Sequence, residues 1–152
     1  MEKSIIIDPE KCTGCRICEM ICSFQDVFNP YNSKVKIRKN EELGIDLPVL
    51  CLHCSEAFCA QACPEEAIRR SPEGIVNIDS SLCQDCQACA GACPFGAIRF
   101  LNDRMFKCDL CGGDPACVKW CPTKALSFKE VSEADVIVNR NKIHEILRQL
   151  ET

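Results

Sequence analysis

Four short cysteine runs constrain this chain more than any other feature. "CTGCRICEMIC", residues 12 to 22, places four cysteines in eleven residues, and similar runs begin at Cys51, Cys83 and Cys108. Together the four runs hold all 16 cysteines. Three of them end in Cys-Pro (Cys63-Pro64, Cys93-Pro94, Cys121-Pro122), whereas the first ends in Cys22-Ser23. Hydrophobic residues make up 47% of the 152 residues, but that class counts cysteine, and the chain has one Trp, one Tyr and seven Phe. Such a composition is thin for an unaided apolar core. The cysteines must help hold the chain together.

A disulfide framework would suit a secreted protein, but no apolar signal region precedes the first run: "MEKSIIIDPEKC" has only three consecutive apolar residues. No stretch approaches the ~18 apolar residues of a membrane span, so no direct membrane insertion is expected. The expected compartment is the reducing cytoplasm, where thiols stay free for metal. A net charge of −4 and the lack of any Lys/Arg-rich run argue against nucleic acid. Lys11, Arg16, Arg69, Arg99, Lys107 and Lys119 stand near the runs and read as solvated surface charge.

Spacing selects the metal. The first and third runs read C-x2-C-x2-C-x3-C (Cys12, Cys15, Cys18, Cys22; Cys83, Cys86, Cys89, Cys93). The second widens one gap to four residues (Cys51, Cys54, Cys59, Cys63), and the fourth widens it to five (Cys108, Cys111, Cys117, Cys121). Structural zinc usually takes two close pairs separated by a longer spacer. Three cysteines crowded into one loop can instead wrap one corner of an iron–sulfur cube, with a fourth at the start of a helix pointing to a neighbouring cube. This is the bacterial ferredoxin spacing, and thiolate sulfur suits such soft centres. Four complete runs predict four 4Fe–4S clusters, with iron held through the 16 cysteines.

The runs could pair sequentially or in a nested order. "PEEAIRRSPEGIVNIDSSL" between runs two and three reads as a strand over Ala67–Arg69, a Ser-Pro-Glu-Gly turn and a strand over Ile75–Ile78, the hairpin expected inside one dicluster module. "CPEEAIRRS", "CPFGAIRF" and "CPTKALSF" repeat one tail, in which Cys-Pro leads through two residues into a strand. "IIIDPEKC" before run one resembles "VNIDSSLC" before run three. Run one therefore looks like a module's second half, and run four is free to supply the first. The predicted fold class is α+β: two bacterial-ferredoxin-like dicluster modules, with run one paired to run four and run two to run three. Residues 1–50 and 94–130 would form the outer module, 51–93 the inner one, and 131–152 a C-terminal extension.

Over roughly residues 1 to 130 the chain resembles the four-cluster ferredoxin-type electron-transfer subunits of molybdenum and tungsten pterin oxidoreductases. The resemblance implies the same nested ligation. Cys12, Cys15, Cys18 and Cys121 would hold one cube, and Cys22, Cys108, Cys111 and Cys117 its module partner. Cys51, Cys54, Cys59 and Cys93 would hold a third, and Cys63, Cys83, Cys86 and Cys89 a fourth. "CTGCRICEMICSF" followed by "FNPYNSKVKI" is similar to the small iron–sulfur subunits of tungsten aldehyde oxidoreductases and tungsten benzoyl-CoA reductases. Subunits of the dimethyl-sulfoxide-reductase family, formate dehydrogenases among them, are the alternative; they are usually longer and often carry an insertion in run four. A stand-alone polyferredoxin or a redox-sensing module is a further alternative.

Little else in the chain suggests chemistry. It lacks a GxGxxG turn and a GxxxxGK[ST] loop, and no nucleophile-and-base constellation is legible, so no catalytic residue is assigned. His53, inside "CLHC", reads as a packing group or a donor to a cluster sulfur, and His144 as exposed in the tail. Electron transport remains. The resemblance implies a larger tungsten- or molybdenum-pterin catalytic subunit as partner, with a ferredoxin or a flavin-containing NAD(P)H subunit as the candidate second partner. Ile143, Ile146, Leu147 and Leu150 form an apolar helical stripe that packs on its own domain or docks the catalytic subunit.

Overall fold

The computed structural model describes residues 2–25 and 28–151. Among the described residues, eight short strands pair into four two-stranded antiparallel sheets, and five α-helices connect or cover them. β4 (Ile68–Arg70) and β5 (Val76–Ile78) form the hairpin between runs two and three, with Ile68 opposite Ile78. β1 (Glu2–Ile7) pairs antiparallel with β8 (Leu126–Val131), so the strand leading into run one is joined to the strand leaving run four. β6 (Arg99–Leu101) is the strand expected after Cys93-Pro94, and it pairs with β7 (Arg104–Phe106); β7 and the β2–β3 hairpin (Lys36–Asn40, Ile45–Val49) have no counterpart among the sequence expectations.

Each run bends into a short helix: α1 (Ile17–Ser23), α2 (Phe58–Gln61), α3 (Ala88–Ala92) and α4 (Ala116–Lys119). The helix expected to start at each fourth cysteine instead carries the third, and in runs two to four it ends before the fourth. Proline is the cause, because it disfavours helical backbone at the residue before it. Run one has no such proline, and α1 continues through Cys22. Ser23 is fully buried, and its hydroxyl donates to the Met20 carbonyl oxygen at 2.6 Å. Proline there would remove a helical N–H and clash with the preceding turn.

The larger apolar core joins Ile5, Ile7, Val35, Leu47, Leu50 and Leu126 with several cysteines; a smaller one gathers Ile68, Val76, Ile98 and Met105. The apolar stripe of α5 (Glu133–Glu151) packs inward, with Ile143 and Leu147 buried in the larger core. Asn139 locks the helix to β1, accepting from the Ile7 N–H at 3.1 Å and donating to its carbonyl at 2.7 Å. The helix is thus part of the fold. Ile143→Ala is expected to cost about 2–5 kcal/mol, seen as earlier bleaching of visible absorbance in a thermal scan. An unchanged scan would mean the helix contributes little to the core.

Candidate metal centre

All four runs open in the same way. The second residue after the first cysteine has a positive φ: Gly14 (65°), His53 (46°), Asp85 (53°) and Leu110 (55°). This left-handed turn aims its own N–H back at the first sulfur. His53 N–H donates to Cys51 Sγ at 3.4 Å, Asp85 N–H to Cys83 Sγ at 3.5 Å, and Leu110 N–H to Cys108 Sγ at 3.4 Å. The Gly14 amide bonds Cys12 likewise. Turned amides of this kind form concavities that bind anions and iron–sulfur centres. At Gly14 a Cβ would fall 2.5 Å from both Asp46 Oδ1 and Lys39 Nζ, so any other residue would have to push that ion pair aside.

Three of the fourth cysteines also receive amides, by two routes. Ala67 N–H donates to Cys63 Sγ at 3.3 Å, through the Cys-Pro-x-x-Ala tail. At Cys121 burial acts to raise the thiol pKa, but backbone donors from Leu126, Ala125 and Thr123, with the Thr123 hydroxyl, outweigh it and bring it down. Cys22 lacks the tail, and Lys34 N–H donates to its sulfur instead, at 3.2 Å from twelve residues away.

Three cavities gather cysteines from different runs. Cys22, Cys108, Cys111 and Cys117 line one of about 210 Å³, together with Leu50 and Val35. Cys51, Cys54, Cys59 and Cys93 line a smaller one, and Cys63, Cys83, Cys86 and Cys89 another. The remaining four are linked by charge: Cys12 interacts with Cys121 and Cys15, and Cys18 with Cys12 and Cys121. All 16 cysteines are free. Among the described residues, no group of three or more His, Cys, Asp or Glu converges as a single-ion site would require. The cysteines instead ring enclosed space, a donor set that fits a thiolate-ligated cube.

Burial raises most of these thiols, Cys59 to about 11 and both Cys18 and Cys108 to about 12. Binding must therefore displace protons, and it is metal that makes these sulfurs thiolates. His53 shows a complementary vacancy in hydrogen bonding. Its Nδ1 accepts the Val76 N–H at 2.9 Å, which puts the neutral ring's proton on Nε2. Burial, then Lys107 and Arg70, holds its pKa down to about 3. Nε2 is buried and meets no acceptor among the described residues, as suits a donor to a cluster sulfur. His144 is half-buried against Phe95, not exposed as the sequence suggested.

Lys107 departs further from expectation, being buried rather than a surface charge. Its Nζ donates to the carbonyl oxygens of Val76 and, at 3.1 Å, Cys108. Two arginines not singled out in the sequence clamp the "CLHC" loop. Arg70 Nη2 donates to the His53 and Cys54 carbonyls, each at 2.7 Å, and Arg140 Nη2 to those of Leu52 (3.0 Å) and His53 (3.1 Å). A lone arginine on a helix or strand gives no local sign of such a role.

Comparison with known proteins agrees with this donor chemistry. Two family models, each described as a 4Fe-4S dicluster domain, match residues 44–131 and 11–68. The thiosulfate reductase electron transfer subunit PhsB of Salmonella typhi is 36% identical over 147 residues, covering 85% of this chain and 76% of that one. Formate hydrogenlyase subunit 2 of Escherichia coli K12 is 32% identical over 181 residues, covering 93% and 89%. Among solved structures, a chain of the active site complex BamBC of benzoyl coenzyme A reductase aligns with a TM-score of 0.50 at 27% identity. That alignment covers 99% of this chain and 97% of the other. Among the described residues, no helix is long and apolar enough to cross a membrane.

Proposed function

Because this chain belongs to the 4Fe-4S dicluster family of iron–sulfur electron-transfer subunits, we propose that it relays single electrons between a tungsten-pterin catalytic subunit of the aldehyde-oxidoreductase type and a second redox carrier. Bound cubes supply one-electron exchange with little rearrangement. The chain's own residues hold four such centres within one small fold and direct amides at the sulfurs. The observation that carries the tungsten assignment is size. The BamBC chain is matched almost end to end, whereas PhsB extends well beyond the match. Run four keeps a gap of only five residues between Cys111 and Cys117, without an insertion. The identity to PhsB favours the second reading, a molybdenum partner of the dimethyl-sulfoxide-reductase family.

The ligand sets follow the nested order: Cys12, Cys15, Cys18 with Cys121; Cys108, Cys111, Cys117 with Cys22; Cys51, Cys54, Cys59 with Cys93; and Cys83, Cys86, Cys89 with Cys63. Three cavities with those linings support it. So does the β1–β8 pair, which joins run four to run one as β4–β5 joins run two to run three. On this reading residues 1–50 with 94–130 build the outer module and 51–93 the inner one, while 131–152 adds the covering helix. A reducing cytoplasm suits 16 free thiols.

Anaerobic purification of the untagged protein from its source, with iron, tungsten and molybdenum measured across the fractions, tests the partner. Tungsten eluting with this chain and a larger one is expected. Molybdenum would select the second reading, and a lone chain with neither metal would make it a free carrier.

A further inference from the structure

Positive charge is prominent at two of the four cysteine sets: Lys34, Arg99 and Lys107 act on the Cys22 and Cys108 set, where Asp109 and Glu19 balance them. Around Cys51, Cys54 and Cys59 stand Arg70, Arg140 and Lys107, two of them clamping the loop carbonyls within 3.1 Å. Lys107 is buried between the Val76 and Cys108 carbonyls. Among the described residues, no carboxylate pairs with Arg140 or Lys107. The His53 Nε2–H adds an unpartnered donor inside the same loop.

The other sets have carboxylates close by, whereas run two carries only the exposed Glu56 between Cys54 and Cys59. Glu19 is buried beside Cys18, accepting the Ile37 N–H at 2.6 Å. Asp46 lies against Gly14 in run one. Asp85, in run three, accepts the Met105 N–H at 2.8 Å and lies 3.6 Å from Cys83 Sγ. Asp109 follows Cys108 and is matched by Lys34 at 2.8 Å.

A cube gains negative charge when it is reduced. Nearby cations and N–H donors therefore favour its reduced form, and nearby carboxylates disfavour it. We infer that Arg70, Arg140 and Lys107 make the cube framed by Cys51, Cys54, Cys59 and Cys93 the highest-potential centre of the four, the one reduced first. The inference depends on the ligand sets proposed above. Arg70 and Arg140 act as positioning residues through the loop they hold, and Lys107 acts also on the neighbouring Cys108 set.

A potentiometric titration of the anaerobic holo-protein, followed by electron paramagnetic resonance, tests this. Cys54→Ser is expected to alter the signal of the centre reduced first. Arg140→Gln should lower that centre's reduced-to-oxidised ratio about tenfold at its native midpoint, or about 59 mV for one electron, with the other three steps unmoved. Arg140→Lys, which keeps the charge, should restore it. If Arg140→Gln loses iron, Lys107→Met gives the same reading and lowers the Cys108 centre as well. A Cys54→Ser lesion in a centre reduced later overturns the inference, and so does a midpoint unmoved in an iron-replete Arg140→Gln or Lys107→Met. Iron content separates the two levels. Markedly fewer than about sixteen irons in the native chain would defeat the ligand sets themselves, whereas four intact cubes with another reduced first would defeat only the order.

Discussion

Stripped of iron by a chelator under reducing conditions, the chain is expected to lose its cooperative fold, not merely its colour. Its local elements cannot stand alone. α1 to α4 have between four and seven residues, well below the length at which isolated helices persist. Among the described residues all four sheets are two-stranded, and a lone hairpin is marginal in water. The larger core counts Cys18, Cys51, Cys108, Cys117 and Cys121 among its buried members, so removing the cubes empties the volume around which that core packs. A structural metal site can contribute about 10–16 kcal/mol, against about 5–15 kcal/mol for the whole stability of a typical domain. Losing four centres should exceed what remains. Far-ultraviolet circular dichroism and urea titration of the apo-protein check this. A native-like spectrum with a sharp transition would show that the apolar core suffices by itself.

Cys22→Ser should damage the cube of Cys108, Cys111 and Cys117, a run some ninety residues downstream, and spare that of Cys12, Cys15 and Cys18. Cys22 lines the cavity of the former set, where its sulfur accepts the Lys34 amide. Serine would retain that contact while offering iron a far weaker ligand. At most about a quarter of the iron should be lost. Spectra assign the damage by matching: Cys22→Ser should reproduce the lesion of Cys111→Ser and differ from that of Cys15→Ser. The opposite match would replace nested ligation with four self-contained runs.

Much of this architecture was legible because it is local. Cysteine spacing, the hairpin after Cys63 and the strand before each of runs one and three all lie within a dozen residues of a run. The failures are just as physical. The stretch entering β2 alternates only briefly, with Val35 and Ile37 buried between Lys34, Lys36 and Arg38, and the polar Lys39-Asn40 end gives no strand signal. Lys107 looked solvated because nothing near it in sequence shows that Val76 arrives with a carbonyl oxygen. Arg140 acts across 87 residues on the His53 carbonyl. Serine after Cys22 had no reason in the sequence. In the structure it is the buried residue at which α1 ends, two to three residues further than its counterparts relative to the fourth cysteine.

The pairing of β1 with β8 has a consequence for how the protein is made. β4 and β5 are separated by a single turn and can meet as soon as both leave the ribosome. Glu2–Ile7 must wait until Leu126–Val131 has been synthesised, and contacts so distant in sequence form late. The earliest cysteines to emerge are thus among the last to be enclosed. During that interval Cys12, Cys15, Cys18 and Cys22 face oxygen and stray metal ions as bare thiols. The topology thus leaves the thiols of run one open until Leu126–Val131 closes against Glu2–Ile7.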